Sequence, residues 1–298
     1  VCVGEGEATA LELAERFEQG RDVADIAGLH LRREGQILRN PLRPYAPDLD
    51  AIPFPRQDRE HWHVLTHDGA VQQVTDTLFR QHAAYDGTSV TVMTTRGCPF
   101  NCSYCCNHSI QQLYAAIGEG QHIRRRSVAN VMAELEHARD RIDGLKMVVF
   151  SDDSFLLVKE DAWLEEFCRQ YRDRIGLPFF CKAIPRWVTQ ERIRLLQQAG
   201  LEQIEIGLEA NERVNREVFH RRQSDAAFVA AARVLEEAGI VRHYDVILHN
   251  PYMTEQDMVC TAEVLLSLRK PHSVNYYRLT FFPGTALHER AGGPARRC

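Results

Sequence analysis

Four of the nine cysteines in this 298-residue chain fall between Cys98 and Cys106, in the segment TTRGCPFNCSYCCNHS (Thr94 to Ser109). A histidine, His108, follows them. Cys98, Cys102 and Cys105 have the spacing C-x3-C-x2-C, which lets one short loop wrap a metal at little closure entropy, and thiolates bind both iron and zinc. Zinc asks for four closed tetrahedral ligands, which His108 would complete. A four-iron cluster normally takes four cysteines, so with three it keeps one iron open for a substrate or cofactor. A redox pair of Cys102 and Cys105 would leave Cys98 idle. Adjacent side chains point apart, so Cys106 reads as a small buried hydrophobe and not as a second ligand beside Cys105. Cys168 and Cys181, which lie inside apolar runs, read the same way, as do Cys2 and Cys260.

Such a loop has to be held by something. From Ser89 onward strand-like and helix-like segments alternate. SVTVMT is the first strand, and the cysteine loop follows it. Ser127 reads as the N-cap of a helix with Val128, Val131, Met132, Leu135 and Ile142 on one face, closed by Gly144. LKMVVF, LPFFCKA, EQIEIGL, YDVIL and SVNYYRL supply five further strands, with a helix before each; the second helix is predicted from Glu160 to Tyr171. This alternation predicts βαβ units and a parallel sheet, and six consecutive units favour a curved, partial (β/α)6 TIM-like barrel over a doubly wound sheet. In parallel barrels the chemistry sits past the C-terminal ends of the strands. Here Cys98 to Cys105, Asp152–Asp153, Pro185–Arg186, Glu209 and His249–Asn250 each follow a strand.

Ahead of the barrel the chain changes character. A short strand (VCV), a GEGE turn and a helix with apolar positions Leu11, Leu13, Ala14 and Phe17 open it. Five of the twelve prolines lie between Pro41 and Pro55, a density that breaks helices and favours extended connection. The expected division is therefore a domain remnant at 1–27, a Pro-rich linker and pre-barrel segment at 28–87, and the core at 88–298. The basic run Arg124 to Arg126 reads as a solvated approach to a helix. With 44% hydrophobic and 26% charged residues the chain can build a core. Its net charge of −5 gives no reason to expect a nucleic acid or an acidic membrane. No apolar run is long enough to span a membrane, and the odd, clustered cysteines do not resemble a secreted disulfide framework. A reduced, cytoplasmic protein is expected. The absent initial Met and the closing GGPARRC point to a fragment of something longer.

The segment CPFNCSYC resembles the cluster loop of the radical SAM superfamily, with Tyr104 as its aromatic. The resemblance implies that Cys98, Cys102 and Cys105 each bind one iron of a [4Fe–4S] cluster whose fourth iron is chelated by S-adenosylmethionine (SAM). Reductive cleavage of SAM would then give a 5′-deoxyadenosyl radical. VVFSDDSF is similar to the family's second-strand segment and places Asp152 and Asp153 at the SAM amino group. IEIGLEANERVNREVFHRRQS resembles the fourth-strand segment, so Glu209 would meet the SAM ribose or amino group and Arg221 its carboxylate. Ala210-Asn211 stands where the family usually has Ser-Gly. LTFFPGTALHERA resembles the sixth-strand close, where PGT turns the chain away from the barrel mouth.

The opening residues and the Pro-rich stretch resemble the junction found in cobalamin-binding radical SAM proteins, where a Rossmann-like B12 domain precedes the barrel. This implies cobalamin in the full-length parent, with only a remnant of that domain in the chain. The expected activity is methylation of an unactivated carbon or phosphorus of a small molecule, supplied with electrons by a donor such as flavodoxin or ferredoxin. His249, Asn250, Tyr252, Tyr276, Tyr277 and Arg278 are the candidates to line the barrel mouth. A methylthiotransferase-like enzyme without B12 is an alternative; that group carries a three-cysteine cluster upstream, whereas only Cys2 precedes Cys98 here. A zinc-stapled binding module is the alternative from another class.

Overall fold

The β-branched run Ser89–Val92 forms the first strand (β1) of a six-stranded sheet. Met147–Phe150 (β2), Phe179–Ala183 (β3), Leu201–Glu209 (β4), Val241–Leu248 (β5) and Ser273–Arg278 (β6) follow it. This computed structural model describes residues 1–57, 60–120, 122–157 and 161–292; Glu160 and nearly all of the closing GGPARRC lie outside the described residues. Every neighbouring pair in the sheet is parallel, and the strands stand side by side in chain order from β1 to β6. A doubly wound sheet would reverse its order at a switch point. This one never reverses, so it forms the predicted partial barrel, with β1 and β6 at its two edges.

Helices α1 (Val128–Arg139), α2 (Asp161–Arg174), α3 (Gln190–Ala199), α4 (Asp225–Glu237) and α5 (Glu255–Leu266) link the strands. Hydroxyl caps set four of their starts. Ser127, Thr189, Ser224 and Thr254 each accept the backbone N–H three residues on, which satisfies one of the donors a first turn leaves open. Strand alternation then sorts the sheet into two faces. Val92, Val148, Phe150, Cys181, Ile204 and Ile206 pack against the helices. Phe180, Lys182, Gln203 and Glu205 take the opposite face. Phe150 sits at the centre of the helix side, its ring centroid 4.8 Å from Phe155 and 5.5 Å from both Phe167 and Phe179. Cys168 and Cys181 are buried, as their apolar runs predict.

The start of α5 makes a stability prediction. Asp257 closes a capping box with Thr254, taking its N–H at 2.8 Å and its hydroxyl at 2.6 Å, and it also accepts from Asn211 at 3.0 Å and pairs with Arg213. The Arg213 contact, with the Thr254 and Asn211 donors, holds the Asp257 carboxyl far below its ordinary range. A depressed folded-state pKa gives stability that is present above the unfolded value near 4 and is lost as pH falls below it. Asp257→Asn is therefore expected to cost about 2 kcal/mol at pH 7, with the difference from wild type shrinking below pH 4 in urea titrations.

The chain divides into two compact units. One comprises Val1–Ile52, Gly97–Arg124 and Phe281–Cys298, the other Pro53–Arg96 and Arg125–Thr280. These cuts differ from the consecutive segments 1–27, 28–87 and 88–298, because the cysteine loop groups with the N-terminal segment. The stretch from 40 to 57 has no regular structure, in keeping with its prolines. The rest of the predicted linker does not stay extended. His30–Arg33 pairs with Gln36–Arg39, and His63–Leu65 pairs with Val71–Gln73. The first hairpin turns on Glu34 and Gly35, both at positive φ as a tight two-residue turn requires.

Three further expectations are corrected in the structure. The helix Glu7–Glu18 leaves Leu11 and Phe17 exposed at 62% and 67%. It docks through a polar stripe instead: Arg43 donates to the Thr9 hydroxyl and to the Ala27 carbonyl, each at 3.1 Å, and pairs with Glu12. The run Arg124 to Arg126 is not solvated, because each guanidinium has its own partner. Arg124 pairs with Glu5 of the GEGE turn and lies over Tyr45, while Arg126 pairs with Glu134. Arg125 lies over Trp163 and donates to the Leu157 carbonyl at 2.6 Å, and burial lowers it to about 10. Finally, Cys106 and Cys2 are exposed, not buried.

Candidate active site

The cysteine loop is built from its glycine outward. Gly97 has φ +95°, and a Cβ there would stand 2.2 Å from the His122 carbonyl oxygen, so the loop can begin this way only at glycine. Cys102 is buried, while Cys98 and Cys105 are partly exposed. The Cys105 N–H donates to the Cys102 carbonyl at 3.1 Å, and Cys105 then caps the helix Cys106–Ala115. The positive end of that helix favours a thiolate at its start. Burial acts in the opposite direction and pushes the Cys105 thiol up to about 12. Gln111, one turn and a half along the helix, reaches back to the Cys98 carbonyl.

The PGT segment closes on this loop. Ser109 donates to the Gly284 carbonyl at 2.6 Å, the Leu287 N–H donates to the Ser103 carbonyl at 2.9 Å, and Thr285 caps the helix Ala286–Arg290. The turn is therefore a brace for the cysteine loop, which its likeness to a chain-turning motif did not reveal.

Three thiols on one loop are a donor set that suits a four-iron cluster. Among the described residues no three His, Cys, Asp or Glu side chains converge as one metal ion requires. In a four-iron cluster each cysteine binds a different iron, so three thiols spread along a loop are the suitable set. Among the described residues all the cysteines are thiols, none of them in a disulfide. Among the described residues the buried Nδ1 of His108 has no hydrogen-bond partner, and none gathers it with Cys98, Cys102 and Cys105 as a fourth zinc ligand. Tyr104 is partly exposed on the same loop.

In the other unit, Asp152 is fully buried at the end of β2. Its carboxylate accepts the Thr94 N–H at 3.1 and 3.2 Å and the Thr94 hydroxyl at 2.7 Å. Burial raises its pKa and the Thr94 donors pull it back down. Asp152 thus pins the chain just past β1, while Asp153 is exposed.

At the end of β4 the structure brings Glu209 and Arg221 together, 3.6 Å apart and both largely buried. Glu209 has φ +64°, a left-handed backbone that few residues other than glycine adopt, and the register of β4 against β5 slips between Gly207 and Glu209. Buried Asn215 holds this bulge open by donating to the Leu208 carbonyl at 2.9 Å and the Ala210 carbonyl at 2.6 Å, on either side of Glu209. The Gly207 carbonyl accepts from Gln223 at 2.9 Å and from Arg221 at 3.3 Å. Gly207 itself leaves the space: a Cβ there would lie 2.1 Å from Glu209 Oε1. Sequence reading found the glutamate and the arginine but not Gly207, Asn215 or Gln223. The glycine inside a strand was the available signal.

Asn211 is committed to structure, capping the helix Glu212–Glu217 and bonding Asp257. Of the residues expected at the barrel mouth, Asn250 is buried and its Oδ1 accepts the Tyr252 N–H at 2.9 Å. Tyr276 and Tyr277 are exposed.

Comparison with known proteins places the chain in a family. A methyltransferase of uncharacterised activity from Pyrococcus horikoshii, PH0819, is 25% identical over 98% of the chain. An anaerobic magnesium-protoporphyrin IX monomethyl ester cyclase from a Synechocystis species is 21% identical over 96%. The chain covers 57% and 53% of those two proteins, about half the length of each. The structure of the radical S-adenosylmethionine methyltransferase TsrM from Kitasatospora setae, with cobalamin and a [4Fe-4S] cluster bound, superposes with a TM-score of 0.69. That match spans 96% of this chain and 52% of TsrM at 18% identity, and it shows the fold. Residues 92–265, from the end of β1 through nearly all of α5, match the profile of the Radical SAM superfamily, and the chain belongs to that superfamily.

Proposed function

We propose that the chain is the radical-generating part of a SAM-dependent enzyme, with Cys98, Cys102 and Cys105 holding a [4Fe–4S] cluster. The observation that supports this most directly is the donor set: three thiols on one braced loop, one fewer than the cluster has irons. What a reduced four-iron cluster supplies when bound is a single electron for breaking the sulfonium C–S bond of SAM. The chain's own residues bind and orient the cofactor. The Glu209–Arg221 pair offers a carboxylate and a guanidinium of fixed geometry to the polar groups of SAM, and exposed Asp153 offers a second carboxylate to its amino group. Tyr104 flanks the loop. Asp152 acts at one remove, through Thr94.

For the full-length protein the reading is cobalamin-dependent methylation of an unactivated carbon or phosphorus of a small molecule, with a flavodoxin or ferredoxin as electron donor. The methyltransferase names of PH0819 and TsrM support it. The Synechocystis relative favours ring closure as a second reading. Product mass separates the two, since methylation adds one CH2 and oxidative closure does not.

The test is anaerobic reconstitution with iron and sulfide, followed by reduction and electron paramagnetic resonance with and without SAM. A [4Fe–4S]⁺ signal that changes shape on adding SAM is the expected result. A protein that takes up no iron and retains one zinc would overturn the proposal.

A further inference from the structure

Parallel sheets are usually apolar on both faces. The face of this sheet opposite the helices carries instead a continuous polar row across four strands. Lys182 on β3 is in register with Glu205 on β4, and its ammonium lies 3.0 Å from the Glu205 carboxylate. Asp245 on β5 is in register with Asn275 on β6, whose amide donates to Asp245 at 2.9 Å and to Glu205 at 3.4 Å. The row thus sets two carboxylates against one ammonium, and Lys182 is paired with Glu205. Asp245 makes no salt bridge among the described residues. Burial pushes its pKa upward, as do a hydrogen bond to Glu205 and the charges of Glu205 and Glu209, while the Asn275 amide opposes them and Lys182 lies within electrostatic reach. Tyr277 on β6 borders the row and is 46% exposed, so the row is open to a ligand.

A half-buried carboxylate held beside a second one and lacking a cation is complementary to a positive ligand. We propose that the row Lys182–Glu205–Asn275–Asp245 binds a cationic nitrogen of the substrate, an ammonium or guanidinium group that docks between Asp245 and Glu205. The substrate class is then a small organic molecule carrying a protonated amine. Lys182 offsets the Glu205 charge and limits the site to one added charge, while Asn275 fixes the two carboxylates side by side. This rests on the proposed enzyme function only in calling the occupant a substrate.

The test needs neither iron nor SAM. In protein carrying ¹³C-labelled aspartate carboxyls, the Asp245 signal is identified by its loss in Asp245→Asn and is followed through a pH titration. Propylammonium chloride is the probe, with sodium chloride at equal ionic strength and 1-propanol as controls. Propylammonium is expected to lower the Asp245 midpoint by about one pH unit or more, as a facing opposite charge does, and neither control should. Lys182→Met, which leaves both carboxylates without a cation, is expected to tighten propylammonium binding about threefold or more. A midpoint no lower in propylammonium than in sodium chloride, or a Lys182→Met affinity equal to wild type, would overturn the proposal. A protein that passes this test yet fails to cleave SAM would refute the enzyme reading and leave the amine site standing.

Discussion

Alanine in place of Cys98, Cys102 or Cys105 is expected to bring SAM cleavage down to background in each single variant, whereas Cys106→Ala keeps most of it. The three thiols share one loop, and no protein ligand is to spare in a site already one short of the iron count. Losing one thiol leaves two irons without a protein ligand, and a cluster so held loses iron under reducing conditions. Cys106 differs from its neighbour in kind. It is the first residue of the helix Cys106–Ala115 and is exposed, while Cys105 is the partly buried residue whose N–H closes the turn onto Cys102. Iron content and 5′-deoxyadenosine yield after anaerobic reconstitution are the measurements. Equal loss in all four variants would show that the loop binds its metal in another way. Folding is checked by circular dichroism, because the bracing of the loop by Gln111 and the PGT segment runs mainly through backbone carbonyls that alanine leaves in place.

The barrel was legible because its signals are local and repeated. Each strand is a short apolar run, and Ser127 marks the start of the first helix as its hydroxyl cap. The three cysteines stand out in the sequence because their spacing suits a cluster, and the structure holds them on one braced loop. What stayed hidden depends on pairing between distant residues. Nothing in the run Arg124 to Arg126 says that Glu5, Trp163 and Glu134 await it. The helix Glu7–Glu18 was misread because Leu11 and Phe17 are its conspicuous residues, while Thr9 and Glu12 hold Arg43. The hairpin at Glu34-Gly35 was masked by the prolines that follow it. The polar row of β3 to β6 is invisible in any one strand, where Lys182, Glu205, Asp245 and Asn275 each look like an ordinary outward position. Register brings them together.

Gly207→Ala is the other substitution from which a large effect is expected, and it separates the shape of the proposed SAM site from the stability of the fold. The added methyl would stand 2.1 Å from Glu209 Oε1, 2.9 Å from Glu209 Cδ and 3.2 Å from an Arg221 nitrogen. Gly207 is not in the left-handed region, so alanine adds no backbone strain there. The overlap is with the end of a side chain, which gives way more cheaply than backbone. Stability should therefore fall by only about 1–2 kcal/mol, in the range of mild overpacking. The carboxylate, however, has to leave its place beside Arg221, and a charged group displaced by an ångström loses most of its value in orienting a ligand. The expected result is a Kd for SAM raised about 10- to 100-fold, with iron content unchanged, since the cysteines are untouched. Asn215→Ala should show the converse balance. It removes the Asn215 donor from the buried Ala210 carbonyl and one of the donors from the Leu208 carbonyl, so its cost appears first as about 1–3 kcal/mol of stability. If Gly207→Ala lowers the melting temperature but leaves SAM affinity intact, Glu209 is a structural acid that pairs with Arg221 to close the β4 bulge, and the SAM contacts must be sought elsewhere.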